Sequence, residues 1–272
     1  MRLGIALPLD FDQEPTNDVF SKGAALAEHH GFDSVWFFDS LGRKRLSFDP
    51  LIGASVAAAA TSHIEVGIGI LQVPIRNPYE LANRVLTAHL VCEGRLTLGV
   101  GSGSTPIDFQ AVGKNFDERM NLLNDGLGTM RRLWRGEEVN GIDLCPAPVT
   151  IGGPPIVIGS WAGPKWIKSA ANNYDGWIAS AYFSGFNTLQ KGIEQYKKAG
   201  GKRAIVTNIS LEFNAGFEPL EDSGDSFHLK CDPKLATERL SKLKNAGFDD
   251  AIVVHRGNDP IDLQKIRSLI GK

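Results

Sequence analysis

The sequence predicts a single-domain (β/α)8 TIM barrel, and three observations carry that prediction. Eight short apolar runs occur along the chain, a segment of helical period follows each, and the length of 272 residues suits one barrel, which typically needs about 250. The first run is Leu3–Leu7. The helix after it spans about Asn17 to His30, with Phe20, Ala24 and Ala27 at helical spacing and Gly31 as its stop. Ser34–Phe38 and Pro50–Ala60 form the second unit. Ile64–Leu71 begins the third, and its helix starts at Pro78, a residue preorganised for a first helical turn. Arg95–Val100 is the fourth strand. Its helix runs from about Asp117 to Trp134, with Met120, Leu123, Leu127 and Met130 on one face. Residues 136–153 are rich in Gly, Pro and polar types and read as an insertion or long loop.

Strands five to eight are Pro155–Gly159, Gly176–Ser180, Ala204–Phe213 and Asp250–His255. Their helices lie at about Pro164–Asn173, Phe186–Ala199, Pro233–Ala246 and Pro260–Ile270. Continuous apolar strands alternating with helices imply a parallel sheet covered by helices. Eight such units favour closure into a barrel. A doubly wound open sheet shares the pattern, because periodicity does not report closure.

A net charge of -2 argues against a general nucleic-acid binder, which needs clustered cations. The basic run Arg43-Lys44-Arg45 is short and reads as a solvated loop. Cys92, Cys145 and Cys231 are scattered without a CxxC pair, as expected in a reducing compartment. The chain opens on a strand rather than a secretory leader, and the apolar stretch Ala54–Ala60 is too short to span a bilayer. A cytoplasmic location away from membranes is the expectation. No metal-ligand set is apparent.

In a (β/α)8 barrel the site lies at the C-terminal ends of the strands. The positions to inspect are therefore Pro8 to Asp10, Asp39-Ser40, Gln72 to Asn77, Gly101 to Ser104, Ser160-Trp161, Ser180 to Tyr182, Asn214 and His255-Arg256. Gly99 to Ser104 is the richest in glycine. A dinucleotide fingerprint fails there, because Ser104 stands at the third glycine position and Pro106 opens a loop. A phosphate loop fails at Gly113-Lys114-Asn115, which lacks the upstream glycine and the hydroxyl residue. A tight rim turn and a loop approaching a ligand account for the run equally well.

The run Glu65 to Pro78 (EVGIGILQVPIRNP), followed by Gly94 to Gly103 (GRLTLGVGSG), resembles the bacterial-luciferase-like oxidoreductases. Phe109 to Gly113, Phe116 to Arg119, Met130 to Glu137, Pro155 to Ser160 and Ala170 to Trp177 extend the resemblance in order along most of the chain. The resemblance implies a barrel that binds FMN or the deazaflavin coenzyme F420 at its mouth. It implies a bulge with a non-proline cis peptide at Gly69-Ile70 behind the ring, where a missing Cβ leaves room. On the residues alone Gly69 is an ordinary strand glycine. The resemblance places Asp39 at the ring edge as a catalytic or binding carboxylate, where the residue type alone fits a turn or cap equally. Gly101 and Ser102 join the cofactor set. Gly159, Ser160, Ala162, Gly163 and Ser180 are implied for the phosphate tail, where backbone amides and a hydroxyl suit an anion.

Two positions depart from the family pattern. Ser40 stands where relatives often carry His, and Ser104 where deazaflavin-dependent relatives often carry Glu. Serine is a poor general base near neutral pH, so His255, at the mouth end of the eighth strand, is the expected replacement. The other histidines fit structural roles: His29 and His30 at a helix end, His63 on the far rim, His89 on a helix and His228 in a loop. Phe38, Phe109, Trp161, Tyr182 and Phe183 are candidates to shape a pocket, and Trp36 fits barrel filling.

The expected function is a flavin-dependent monooxygenase that uses reduced FMN and O2 on a small organic substrate, with a separate flavin reductase as electron donor. The alternatives are a deazaflavin-dependent hydride-transfer oxidoreductase and a non-catalytic flavin-binding protein. A barrel enzyme acting on a phosphorylated sugar is weaker. By analogy, a homodimer is expected.

Overall fold

The computed structural model describes residues 1–9, 14–42, 46–159, 164–213, 220–255 and 261–271. Ser160, Trp161, Ala162, Gly163, the run Arg43-Lys44-Arg45, Asp10, Asn214, Arg256 and Pro260 lie outside them. The strands are β1 (Arg2–Ala6), β2 (Ser34–Phe37), β3 (Glu65–Gln72), β4 (Leu96–Gly101), β5 (Ile156–Gly159), β6 (Gly176–Ser180), β7 (Arg203–Glu212), β8 (His228–Lys230) and β9 (Asp250–His255). The helices are α1 (Val19–His29), α2 (Pro50–Ala59), α3 (Pro78–Val91), α4 (Pro106–Ala111), α5 (Arg119–Trp134), α6 (Pro164–Asn173), α7 (Phe186–Lys198), α8 (Pro233–Ala246) and α9 (Leu263–Arg267).

β1 through β7 pair in sequence order, and β9 then bridges β7 to β1, so eight parallel strands close. Closure settles the alternative of an open sheet. Helix starts follow local chemistry. Asp49, Asn77 and Asp232 each accept two backbone N–H bonds at the N-termini of α2, α3 and α8, and proline stands at the first turn of each. Residues 136–153 are turns with one antiparallel bridge, Val139 to Ile142. Among the described residues no helix is long and apolar enough to cross a membrane.

Two elements differ from the sequence reading. Pro106 opens the short helix α4 rather than a loop. His228 lies in the three-residue strand β8, which extends the sheet beside the far end of β7 (Ser210 opposite His228) where β6 has ended (Ser180 opposite Thr207). The expected eighth strand is therefore the ninth in chain order.

The barrel interior holds Trp36, Val157, Ile178, Ile205 and Ile252, with Ile70 packed against them. Trp36 is fully buried, as expected for a filling residue, and its Nε1 donates to Ser34 Oγ at 2.8 Å. Its indole lies against Gly67, where a Cβ would stand 2.4–2.5 Å from three ring atoms. A rigid ring in a closed interior has little room to yield, so Gly67→Ala is expected to cost about 1–3 kcal/mol. A lowered urea-unfolding midpoint checks this, and an unchanged midpoint contradicts it.

At the N-terminal end, opposite the mouth, the barrel is plugged by charge. Arg203 donates to Glu65 (Nη1–Oε1, 2.8 Å) and to Asp250 (Nε–Oδ2, 2.9 Å). Arg2 pairs with the same two carboxylates, and Thr97 donates to Glu65 at 2.5 Å.

A candidate flavin site at the barrel mouth

Two β-bulges shape the mouth. In β3 the step from Ile68 to Leu71 spans three residues, while its β4 partners Leu98 and Val100 are two apart. The extra residue falls at Gly69-Ile70, and the peptide bond between them is cis, as the resemblance implies. In β7 the step from Val206 to Ile209 likewise exceeds that of its β9 partners, Ala251 and Val253. This second bulge carries Thr207 and Asn208, and Asn208 sits at φ +58°, a left-handed conformation that asparagine tolerates better than most residues. Bulges re-aim side chains and are common beside active sites.

Both bulges face one cavity of about 410 Å³, whose lining includes Asp39, Gly69, Ile70, Ser102, Gly159, Ser180, Thr207 and Asn208. The structure thus gathers most of the described residues expected to hold a cofactor. Gly101 stands just behind: a Cβ there would meet Ile70 Cδ1 at 2.0 Å, and one on Gly159 would meet Ile70 Cγ2 at 2.8 Å. These two glycines make room for the Ile70 side chain. Ile70 is partly exposed and contributes an apolar patch beside Gly69 and Ile178. Ser160, Ala162 and Gly163 lie outside the described residues.

Asp39 is held firmly. Arg76 approaches it side-on, with Nη1 2.6 Å from Oδ2 and Nη2 2.8 Å from Oδ1. Gln72 N also donates to Oδ2 at 2.8 Å. The Asp39 and Arg76 side chains are 2% and 13% exposed, so this is a largely buried ion pair rather than a surface one. Gln72 continues the chain by donating Nε2 to Asp108 at 3.2 Å. Lys114 secures the turn beyond β3 through the carbonyls of Pro74 (2.6 Å) and Arg76 (2.7 Å), and burial lowers its pKa. With both oxygens engaged, Asp39 is suited to positioning the end of β3 more than to abstracting a proton.

The remaining polar lining is sparse in acid–base groups. Among the described lining residues only Asp39 and Arg119 carry charge. Ser40 is turned to Ser47, with their hydroxyl oxygens 3.0 Å apart. Ser104 lines the cavity. Asn208 Nδ2 donates to Ser180 Oγ at 3.3 Å, while Thr207 Oγ1 is buried without a hydrogen-bond partner.

His255 lies elsewhere. It lines a second cavity, of about 690 Å³, with Leu9, Leu26, His30, Phe213 and residues 261–266. Along β9, Ile252 joins the interior cluster and Val253 the outer core. The two-residue period of a strand gives His255 the outward parity of Val253. The structure does not bring His255 to Asp39. Of the expected aromatics, Phe183 lines the first cavity, whereas Phe109 is buried edge-to-face against Phe116.

Sequence reasoning singled out neither Arg76 nor Arg119, nor Thr207 and Asn208. Arg76 and Arg119 stood inside the motifs that carried the resemblance. The one local hint at β7 was an asparagine within an apolar strand.

The family model for the luciferase-like monooxygenases matches residues 1–211. The chain belongs to that family. The luciferase-like match takes in β1 to nearly the end of β7, and so every described lining residue of the first cavity. The F420-dependent glucose-6-phosphate dehydrogenase of Nocardia farcinica is 31% identical, over 87% of each chain. Monooxygenase RslO1 from Streptomyces bottropensis superposes with a TM-score of 0.80 at 18% identity, over 99% of this chain and 96% of that one. The oxygenating constituent of 3,6-diketocamphane monooxygenase from Pseudomonas putida, in complex with FMN, gives 0.77 at 19% identity, over 99% and 98%. At such identities the structural matches speak for the fold. This luciferase-like chain is an oxidoreductase in a family that includes FMN-dependent and F420-dependent members.

Proposed function

We propose that this luciferase-like enzyme holds reduced FMN in the cavity beside Gly69 and Ile70 and uses it with O2 to oxygenate a small organic substrate. One oxygen atom enters the substrate and the other leaves as water, with electrons delivered to the flavin by a separate reductase. The observation that carries the proposal is the lining: a partly apolar surface at a bulged strand, with no uncommitted acid or base among the described residues. A reaction whose demanding step belongs to the cofactor suits such a site. Bound reduced flavin supplies the electrons and the carbon centre that meets O2.

The chain's own residues bind, orient and exclude. Ile70 and Ile178 offer apolar contact to a flat ring. The Thr207 hydroxyl, buried without a partner, fits a ligand carrying a hydrogen-bonding edge, because an unsatisfied buried polar group is costly. Asp39, locked by Arg76, fixes the end of β3 against that ring. Met120, Leu123 and Phe116 close the side nearest α5 and limit water, which strengthens polar contacts inside.

A second reading, hydride transfer with coenzyme F420, is favoured by the 31% identical relative, whose name gives that cofactor. Parallel titrations with reduced FMN and with F420, followed by O2-consumption assays, separate the two. Tight FMN binding with O2 uptake dependent on a flavin reductase is the expected result. F420 binding without FMN binding overturns the monooxygenase reading in favour of the second. A homodimer remains part of the proposal: α2 leaves Ile52 61% exposed and Val56 37% exposed, and light scattering of the purified protein reads the oligomeric state.

A further inference from the structure

The cavity's charge does not balance from within. Asp39 is neutralised by Arg76, two hydrogen bonds deep. Arg119, the other charged residue among the described lining, has no carboxylate partner within salt-bridge distance among the described residues. Its guanidinium lies 4.1 Å over the Phe116 ring, and its Nη1 donates to Phe116 O at 3.1 Å. Those contacts fix the direction of the group but leave most of its N–H donors unused, since guanidinium carries five. A part-buried, oriented and unpaired guanidinium in a cavity is suited to an oxyanion, and its planar fork matches phosphate better than a lysine would. Ser104 and Thr105 line the same cavity and bring hydroxyl donors.

We infer that Arg119 is the counter-charge for the phosphate group of the bound cofactor. The inference rests on the flavin reading above and adds to it a residue that directs the polar tail. Both cofactors under consideration carry a phosphate, as the monoester of FMN or the diester of F420, and the ring alone carries none. Affinity should therefore depend on Arg119 for the phosphorylated forms and not for the ring.

The test is a fluorescence titration of the whole chain with reduced FMN and with reduced riboflavin, each against wild type, Arg119→Gln and Arg119→Lys. Arg119→Gln should weaken FMN tenfold or more while changing riboflavin less than twofold. Arg119→Lys should recover part of the loss, and added salt should weaken FMN in the wild type but not in Arg119→Gln. Equal losses for FMN and riboflavin in Arg119→Gln would mark a structural role through Phe116 and overturn the inference. An unchanged FMN affinity would overturn it as well, assigning the guanidinium to substrate or solvent. If neither FMN nor riboflavin binds the wild type, the same design is run with F420 and its phosphate-free deazariboflavin core. Failure of all four overturns the flavin reading itself. Failure of the phosphate-dependent difference alone leaves that reading standing and removes only Arg119.

Discussion

Arg203→Met is expected to destabilise the protein by about 3–5 kcal/mol, the usual cost of removing one member of a buried ion cluster. Glu65 and Asp250 are 16% and 1% exposed. Without Arg203 they are left with Arg2 alone among the described cations. The variant should also respond to pH differently. Burial tends to raise the Glu65 pKa, but hydrogen bonding and charge from Arg203, a hydrogen bond from Thr97 and the charge of Arg2 outweigh it and hold Glu65 below its ordinary 4.5. A carboxylate depressed in this way stabilises the fold above its unfolded pKa, and that contribution is lost as pH falls through the lower folded value. In Arg203→Met the balance reverses, burial dominates, and the residual penalty applies only where Glu65 is ionised. The stability gap between wild type and variant should thus be widest near neutrality and close toward pH 4, as read by thermal unfolding across pH. A gap that stays constant with pH would assign the loss to packing of the arginine stem.

The second large effect concerns the mouth. Asp39→Ala leaves Arg76, 13% exposed, without its bidentate acceptor and frees Gln72 N. A stability loss of about 3 kcal/mol is expected, at the lower end for a broken buried pair. Because the same bonds hold the end of β3 next to the Gly69-Ile70 bulge, flavin affinity should fall about tenfold, roughly 1.4 kcal/mol. Asp39→Asn keeps the shape but turns one acceptor into a donor facing Arg76, so it should lose most of the same stability. The double variant Asp39→Ala/Arg76→Met removes the uncompensated charge and should recover stability. A general base would behave otherwise: Asp39→Asn would abolish turnover and leave both unfolding and flavin affinity intact.

The fold was legible because strands buried on both faces need continuous apolar runs, and covering helices need one apolar stripe. Caps were legible for the same local reason: Asp49-Pro50, Asn77-Pro78 and Asp232-Pro233 carry start signals within two residues. β8 was not, since three residues (His228–Lys230) are too few to display a period. At the site, Gly69-Ile70 was reachable through the resemblance. The pairing of Asp39 with Arg76, 37 positions apart, and of Glu65 with Arg203, 138 apart, depends on the closed barrel and leaves no local trace. His255 shows the limit of topology. Its place at a strand's C-terminal end gives the correct rim, but the side it faces follows from which β9 residues point inward.

The central claim is that the ring of the cofactor lies in the cavity beside Gly69 and Ile70. A crystal structure of the protein grown with FMN tests it most directly. The isoalloxazine should stand against Ile70 at the β3 bulge, between Asp39 and Thr207. Flavin density in the larger cavity beside His255, or side chains filling the space over Ile70 while flavin binds elsewhere, would contradict it.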